Sequence, residues 1–268
     1  MKSVRAGVVQ MVSGPDVAAN LAAAATLIAE AAGLGAQLVA LPENFGFMGR
    51  EESDKLAVAE RDGEGPMQAF LAAAARGHRL WLVGGSVPLV AATPGRVHNT
   101  CLVFDPAGER VARYDKIHLF GFRTESEQYD EGRSVTAGDR PVAVDTPFGR
   151  AGLTICYDLR FPELFRAFGG FDFAFVPSAF TYTTGSAHWE TLLRARAIEN
   201  LAWVLAPAQG GRHASGRRTW GHSMIVDPWG AILAERSEEG PGVVVADLDP
   251  AVQARARGSL PALQHRRL

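Results

Sequence analysis

Short apolar runs separated by turn residues constrain the fold of this chain most strongly, because their arrangement changes partway along it. The first third alternates predicted strands and helices, in the order strand 4–11, helix 17–32, strand 36–41, helix 66–76 and strand 80–87. Such alternation is typical of parallel strands joined by crossover helices. Asp16, just before the first helix, is a suitable N-cap.

The rest of the chain pairs its apolar runs as hairpins before helices return. Predicted hairpins join 97–104 to 109–116 and 142–146 to 151–155, and they are followed by helices 162–168 and 187–200 and by strands 171–176, 202–206, 223–226, 232–234 and 243–247. Segment 118–140 is predicted to be a long loop, and long loops in compact domains tend to be functional. Together the patterns predict an α/β fold with mixed sheets and helices outside.

Composition narrows the class of protein. The chain has 268 residues, 47% of them hydrophobic, and a net charge of −2, as expected for a globular protein with a sizeable core. The weak charge gives no reason to expect nucleic acid or a membrane as partner, and no apolar run is long enough for a membrane span. We predict one domain over 1–268, with a polar tail, 250–268, that contacts a second copy of the chain.

The number of cysteines indicates the cellular compartment. Two cysteines do not make a disulfide framework, and no Cys/His cluster has zinc spacing. We therefore predict a reduced, cytoplasmic location and neither a metal nor an organic cofactor. Cys101, inside predicted strand 97–104, is expected to be a small buried hydrophobe.

The second cysteine, Cys156, has a different context. It ends the apolar run 151–155 and is followed at once by a predicted turn and helix. At such a strand end the following backbone N–H groups can face a substrate, and a helix N-terminus favours negative charge. These surroundings suit a thiolate nucleophile.

Two further reactive side chains lie at predicted strand ends. Glu43 follows strand 36–41, and Lys116 ends strand 109–116. A carboxylate can take the proton of a thiol and return it to a leaving amine, and an ammonium can stabilise the oxyanion of a tetrahedral intermediate. Only three of the 27 cationic residues are lysines, which weakly favours a special role for Lys116.

Each of these residues also has an ordinary interpretation. A lone cysteine after a strand is more often a buried hydrophobe, a glutamate after Leu-Pro is usually a turn or capping residue, and a lysine in a hairpin is usually an exposed edge residue. Taken singly, none of the three would identify a site.

The sequences around Glu43, Lys116 and Cys156 favour a catalytic site over these ordinary interpretations. The segments LPENF (41–45), YDKIHLF (114–120) and LTICYDLRFPEL (153–164) resemble, in order, the three catalytic blocks of the nitrilase superfamily of carbon–nitrogen hydrolases. Further blocks similar to the Nit branch of that superfamily lie at 177–180, 184–190, 194–200, 208–213, 220–230 and 260–267. The resemblance implies a four-layer αββα sandwich that pairs with a second copy into a homodimer.

The resemblance also implies roles for the catalytic residues. Cys156 would be the nucleophile, Glu43 the general base and Lys116 the cation that stabilises the oxyanion. The family has a second glutamate after the lysine, and its spacing to Ala137-Gly138 selects Glu131. Glu125 and Glu127 stay open as alternatives, since the family's common Glu-Ser spelling occurs at Glu125.

Four more residues are implied to bind the substrate. The backbone N–H of Tyr157 would help to hold the oxyanion, Arg160 would bind a substrate carboxylate, and Phe180 and Thr184 match pocket positions. The alternative for Arg160 is an ion pair with Asp158 or Glu163.

Other residues near these motifs are expected to be structural. His188 and Trp189 are expected to pack the helix, Arg194 and Glu199 to brace the site, and His118 and His222 to make structural hydrogen bonds.

The implied activity is hydrolysis of a small ω-amide of a keto-dicarboxylate through a thioester, with the deaminated-glutathione amidase group as the most similar part of the branch. The alternatives are an ω-amidase acting on 2-oxoglutaramate or 2-oxosuccinamate, a nitrile hydrolase, a papain-like Cys–His hydrolase, and a dimeric pseudoenzyme that acts as an interaction module. The partner implied for the enzyme is a small amide that carries a carboxylate.

Overall fold

A computed structural model describes residues 2–125 and 128–267 of the chain. Two β-sheets lie face to face, with helices on their outer faces. The helices are α1 (Val17–Gly33), α2 (Pro66–His78), α3 (Pro162–Ala167), α4 (Tyr182–Asn200) and α5 (Pro250–Ser259). This is the four-layer αββα sandwich predicted above.

The first sheet has seven strands. They are β1 (Val4–Gln10), β2 (Leu38–Ala40), β3 (Trp81–Val83), β4 (Val87–Val90), β5 (Val97–Phe104), β6 (Arg110–Asp115) and β17 (Gly242–Leu248). The order is β17-β1-β2-β3-β5-β4, with β6 on the free side of β5. Strands β1, β2 and β3 are parallel, and the other pairings are antiparallel.

The second sheet has six strands. They are β9 (Val142–Thr146), β10 (Gly149–Leu153), β11 (Phe173–Phe175), β12 (Trp203–Ala206), β15 (Ser223–Val226) and β16 (Ile232–Arg236). Their order is β16-β15-β12-β11-β10-β9, with β10, β11 and β12 parallel. Two ribbons stand apart, β7 (Gly121–Arg123) with β8 (Gln128–Asp130) and β13 (Gly210–Arg212) with β14 (Arg218–Trp220).

The core follows the two-residue alternation of the strands. On β1, Val8 faces the second sheet and Val9 faces α1 and α2. On β5, Cys101 faces the second sheet and Leu102 faces the helices. Because successive strand side chains point to opposite faces, one apolar strand supplies two core layers. Cys101 is fully buried, as predicted.

Strand direction determines which segments emerge at the same edge of a sheet. Strand β6 is antiparallel to β5, which is antiparallel to β3, so β6 runs in the direction of β2 and β3. The segments that leave β2 and β6 therefore emerge at the same edge of the first sheet. The segment that leaves β10 in the second sheet meets them there, because the two sheets are stacked.

The structure corrects three predicted boundaries. Helix α4 begins at Tyr182 rather than at 187, because Thr181 caps it by accepting a hydrogen bond from the N–H of Thr184 at 3.2 Å. Predicted strand 80–87 is divided into β3 and β4 at Gly84–Ser86. Predicted loop 118–140 contains the ribbon β7–β8.

The predicted tail is partly a helix that packs on its own chain. Asp249 caps α5, and Arg257 donates hydrogen bonds to Asp172 Oδ1 at 3.1 Å and to the carbonyl of Phe171 at 2.6 Å. A role of residues 250–268 in dimer contacts stays a prediction. Within the described ranges, no helix is both long and apolar enough to cross a bilayer.

Candidate active site

Glu43 lies in the turn that leaves β2, with 4% of its surface exposed. Its carbonyl accepts a hydrogen bond from Gln209 Nε2 at 3.0 Å, and the next residue, Asn44, has a positive φ of 58° and is held by Ser86 Oγ at 2.9 Å. These contacts hold the turn, so the Glu43 carboxylate points into the space between the strand ends.

Lys116 is the first residue after β6, and its side chain is 2% exposed. Its Nζ lies 2.8 Å from Glu43 Oε1 and 2.8 Å from Glu131 Oε2. A buried ammonium is therefore flanked by two carboxylates from different segments. Their proximity raises the pKa of Lys116 well above its ordinary value, even though burial by itself lowers it most. The ammonium is thus charged at neutral pH.

Glu131 lies in a one-turn 3₁₀ helix, Glu131–Arg133, directly after β8. Its Oε2 also accepts the N–H of Phe120 at 2.9 Å. Burial raises the pKa of Glu131, but Lys116 and Lys55 outweigh it and lower the pKa to about 2. Of the alternatives, Glu125 is exposed, and Glu127 lies outside the described residues.

Asn99 joins the two carboxylates on their other side. Its Nδ2 donates to Glu43 Oε1 at 2.9 Å and to Glu131 Oε1 at 3.0 Å. Asn99 is not among the site residues predicted from the sequence. A usable signal existed, since Asn99 shares the buried face of β5 with Cys101, and a polar side chain on a buried face needs a polar partner.

Cys156 lies in a tight turn three residues after β10 ends at Leu153, rather than at the strand end itself. Its φ is +51°, a left-handed conformation that non-glycine residues adopt rarely, and its N–H donates to the carbonyl of Pro177 at 2.9 Å. The turn thus carries the side chain into the same space as Glu43 and Lys116.

The thiol of Cys156 is protonated at rest. Burial raises its pKa well above the ordinary value, Glu43 raises it further, and Lys116 and the N–H of Ala179 oppose the rise only in part. The predicted stabilisation of a thiolate by a helix N-terminus is therefore wrong. The following segment is a short 3₁₀ turn rather than an α-helix, and burial beside a carboxylate dominates.

Asp158 anchors the turn that carries Cys156. It is fully buried and accepts hydrogen bonds from the Tyr114 hydroxyl at 2.7 Å and from the N–H of Ile155 at 2.8 Å. The backbone N–H of His118 also donates to it at 3.0 Å, and His118 Nδ1 lies 2.7 Å away. The turn is therefore tied to the segment that follows Lys116, and His118 is structural as predicted.

One pocket of about 430 Å³ collects these groups. All eight site residues predicted from the sequence line it, namely Glu43, Lys116, Glu131, Cys156, Tyr157, Arg160, Phe180 and Thr184. Other lining residues were not predicted, namely Asn44, Glu52, Lys55, Phe120, Ala179, Thr181 and Arg217. No histidine of the described residues lines the pocket, so the papain-like alternative lacks its base.

Arg160 does not form the predicted alternative ion pair with Asp158 or Glu163. Its guanidinium lies 5.8 Å from the ring centre of Tyr157 and 5.3 Å from that of Phe180, and both Nη atoms lie 3.3 Å from His188 Nδ1. No carboxylate among residues 2–125 and 128–267 forms an ion pair with it. The cation is free to meet an anionic substrate group.

Three helix residues differ from their predicted contacts. His188 is exposed rather than packed, because the first turns of α4 face the pocket mouth beside Arg160. Glu199 pairs with Arg196 at 2.9 Å, whereas Arg194 pairs with Glu190 at 3.0 Å. Arg196 also donates to the carbonyl of Leu159 at 2.9 Å, so it is the arginine that braces the turn carrying Cys156.

Two other structural predictions are confirmed. Trp189 is buried, with its Nε1 donating to the carbonyl of His222 at 2.8 Å. His222 itself stacks on Trp220, and its Nδ1 lies 2.6 Å from Glu235 Oε1.

The arrangement suits acyl transfer. A carboxylate, an ammonium and a thiol line one pocket, and these are groups that can accept a proton, stabilise an oxyanion and attack a carbonyl carbon. The described residues hold no group of three or more His, Cys, Asp or Glu side chains placed to bind a metal ion.

Comparison with known proteins gives a consistent result. The sequence model of the family described as "Carbon-nitrogen hydrolase" matches residues 5–257. The chain is 44% identical over 272 residues to a deaminated glutathione amidase of Synechocystis, with 99% of each chain covered. It is 40% identical to the human deaminated glutathione amidase, covering 97% of this chain and 81% of the human one.

A solved structure shares the whole architecture. Nit3 of Saccharomyces cerevisiae, described as a member of branch 10 of the nitrilase superfamily, superposes with a TM-score of 0.90 at 32% identity. The match covers 100% of this chain and 97% of the yeast chain.

Proposed function

The chain belongs to the carbon–nitrogen hydrolase family and hydrolyses carbon–nitrogen bonds other than peptide bonds, in linear amides; from this premise we propose how its residues do so and on which amide. One observation carries the proposal. Lys116 Nζ lies 2.8 Å from both Glu43 and Glu131, in the same pocket as the Cys156 thiol.

The first half-reaction forms a thioester. Glu43 takes the proton of the Cys156 thiol as the sulfur bonds to the amide carbonyl carbon. The carbonyl oxygen becomes an oxyanion, which Lys116 and the N–H of Tyr157 stabilise. The intermediate collapses, the C–N bond breaks, and Glu43 gives its proton to the leaving nitrogen.

The second half-reaction releases the acid. Water attacks the thioester carbon and gives a proton to Glu43, and the same oxyanion site is used again. The C–S bond then breaks, and the proton returns to the Cys156 sulfur. Ping-pong kinetics follow, because the amine leaves before water attacks.

Glu131 makes this proton transfer possible through charge. Two carboxylates and one ammonium give the cluster a net charge of −1. When the thiol proton passes to Glu43, the net charge stays at −1 and moves to the Cys156 sulfur and then to the substrate oxyanion, so Lys116 must stay charged to compensate it. We propose that Glu131 fixes the position and charge of Lys116 for this purpose.

The substrate is proposed to be the amide of deaminated glutathione, cleaved to 2-oxoglutarate and cysteinylglycine. Arg160 would bind the carboxylate of the keto-acyl group through a guanidinium that lacks a protein carboxylate partner. Phe180 and Thr184 would line the acyl site. Two relatives at 44% and 40% identity bear the name deaminated glutathione amidase, which supports this substrate.

The second candidate is ω-amidase activity on 2-oxoglutaramate or 2-oxosuccinamate. Arg160 favours it equally, because these amides present the same kind of keto-carboxylate to the acyl side of the pocket. The two candidates differ only in the leaving group, a dipeptide or ammonia.

A rate comparison tests the proposal. Purified protein is assayed with deaminated glutathione, 2-oxoglutaramate and a simple aliphatic nitrile. The keto-amides should be turned over with much higher kcat/KM than the nitrile. Comparable values for the nitrile and the keto-amides would refute the substrate class, and no thioester with any ω-amide would refute the mechanism.

We also propose a cytoplasmic homodimer. The two cysteines are both free, as is usual in reducing compartments. Ile198 on α4 and Trp229 in the β15–β16 turn are 45% and 59% exposed, and they belong to adjacent segments, since Arg194 of α4 donates to the carbonyl of Gly230 at 2.8 Å. An apolar patch of this kind suits a two-fold interface.

A further inference from the structure

A second hollow adjoins the active-site pocket. It measures about 300 Å³ and is lined by Phe47, Met48, Gly49, Arg50 and Glu51 together with Asn44, Glu52, Lys55 and Arg217. The last four residues also line the active-site pocket, so they form the boundary between the two spaces. We call this space the side hollow. A reaction that released only ammonia would need no such extension.

The boundary carries a net positive charge. Lys55 Nζ lies 2.8 Å from Glu52 Oε2, and Arg217 Nη1 lies 3.5 Å from Glu52 Oε1. Burial raises the pKa of Glu52, but Lys55 and Arg217 outweigh it, and the pKa is lowered overall. Two cations therefore share one ionised carboxylate.

Arg217 is held loosely for a guanidinium with five N–H donors. Its contact with Glu52 is at 3.5 Å, its contact with the carbonyl of Ala179 is at 3.4 Å, and its Nε is buried without a hydrogen-bond partner among the described residues. The guanidinium also lies over the ring of Tyr129, 4.9 Å from its centre. Contacts this long leave donor capacity for a stronger acceptor.

The pocket thus presents cations in two separate places. Arg160 contacts Tyr157, Phe180 and His188, whereas Lys55 and Arg217 both contact Glu52. Arg160 ends the 3₁₀ turn that begins with Cys156. In the proposed mechanism the sulfur of Cys156 holds the acyl group. Asn44 lines the side hollow and directly follows Glu43 in the chain. In the proposed mechanism Glu43 protonates the leaving nitrogen.

We propose that Lys55 and Arg217, positioned by Glu52, form a leaving-group subsite that binds the terminal carboxylate of a peptide-like amine. The inference rests on the proposed function, because it assumes that Cys156 holds the acyl part and that Glu43 faces the leaving nitrogen. The leaving group then extends towards the side hollow, and Arg217 binds its carboxylate in a charge-assisted hydrogen bond.

The test compares three substrates with one acyl group. They are deaminated glutathione, its C-terminal carboxamide, which lacks the leaving-group charge, and 2-oxoglutaramate, which lacks the leaving group. Wild-type protein should prefer the carboxylate to the carboxamide in kcat/KM by about tenfold or more, as a hydrogen bond to a charged group implies. In Arg217→Gln that ratio should fall several-fold, because Lys55 alone then faces the carboxylate.

The matched control is Arg212→Gln, an exposed arginine on β13 that lines neither space. It should keep the wild-type ratio.

The outcomes separate the two proposals. Wild-type protein that cleaves none of the three substrates refutes the proposed function, and the subsite with it. Wild-type protein that cleaves all three but does not distinguish carboxylate from carboxamide refutes the subsite alone, and this comparison needs no variant to fold. An unchanged ratio in folded Arg217→Gln also refutes it.

Discussion

The charge balance of four side chains decides the chemistry at the residue scale. Lys116 is held charged between Glu43 and Glu131, while the Cys156 thiol is kept protonated by burial and by the Glu43 carboxylate. In the proposed mechanism the thiolate therefore forms only as Glu43 removes the proton of Cys156, in contrast to a preformed thiolate beside an imidazolium. Because these side chains are buried, each of these interactions is stronger than it would be in water.

Replacement of the two cysteines should have opposite effects. Cys156→Ala removes the nucleophile and should lower kcat by at least about 10⁴-fold. Cys101→Ala removes a buried sulfur from the inter-sheet core and should cost about 1 kcal/mol of unfolding free energy without loss of kcat. Steady-state kinetics and urea denaturation of both variants check this. Equal losses of activity would show a folding defect instead.

Thiol alkylation should report the raised pKa of Cys156. The thiolate fraction, and with it the rate of alkylation by iodoacetamide, should still be rising at pH 9, because burial raises the pKa well above its ordinary value of 9.0. Cys101 contributes nothing, since burial raises its pKa to about 12. A rate that levels off below pH 7 would indicate a thiolate–cation pair and contradict this account.

At the scale of elements, strand ends and the turns that follow them set the geometry. Strands β2, β6 and β10 end at the same edge of the sandwich, and Glu43, Lys116 and Cys156 follow them. The side chain of Asn99 reaches Glu43 from β5. Side chains on rigid strands and short anchored turns are held more precisely than those on long loops. The site therefore depends on backbone positions that do not touch a substrate.

Asn99→Ala should impair catalysis more than folding. Loss of its two hydrogen bonds leaves the Glu43 and Glu131 carboxylates less firmly positioned beside Lys116, and kcat should fall about ten- to hundredfold. The matched control is Thr100→Val on the opposite face of β5, which loses a 2.6 Å hydrogen bond to Asp115. That variant should lose stability but keep kcat. Steady-state kinetics and thermal denaturation of both variants check this. Equal losses of kcat in Asn99→Ala and Thr100→Val would contradict the role given to Asn99.

The junction of β3 and β4 should be intolerant of a side chain. Gly85 has φ +57°, and a Cβ there would lie 2.0 Å from the carbonyl oxygen of Pro42, in the turn that carries Glu43. Gly85→Ala should lower both stability and kcat, because the turn must move.

Gly95→Ala is the control for that substitution. Its φ is +71°, with no atom within 4 Å of an added Cβ, so it should cost only about 1–2 kcal/mol of backbone strain and no activity. Urea denaturation of both variants gives the comparison, and equal costs would show that the Pro42 contact is unimportant.

For the whole molecule, the proposed dimer would couple association to active-site geometry through α4. The helix carries Thr184 at the pocket and Ile198 on the exposed face, and Arg196 ties it to the turn that holds Cys156. A dimer that covers Ile198 and Trp229 would fix this helix from outside.

Ile198→Glu should shift the protein from dimer to monomer, because a charge would be buried in an isologous apolar interface. Leu34→Glu, an equally exposed leucine at the end of α1, should leave the dimer intact. Sedimentation velocity of both variants checks the prediction. A monomeric wild type, or dimeric Ile198→Glu, would refute the proposed interface.

The sequence by itself determined the mixed α/β architecture, most strand and helix positions, and eight residues that now line one pocket. Those results rest on local information, namely apolar periodicity, capping residues such as Asp16 and the spelling of motifs around strand ends.

Only the tertiary structure decided the bridge from Asn99 to Glu43, 56 residues away, the contact of Arg217 with Glu52, 165 residues away, and the protonation of the Cys156 thiol. It also decided that Arg160 lacks a carboxylate partner among the described residues. The physical reason is that burial, pKa and ion pairing depend on which distant segments meet, and chain-local patterns do not encode that packing.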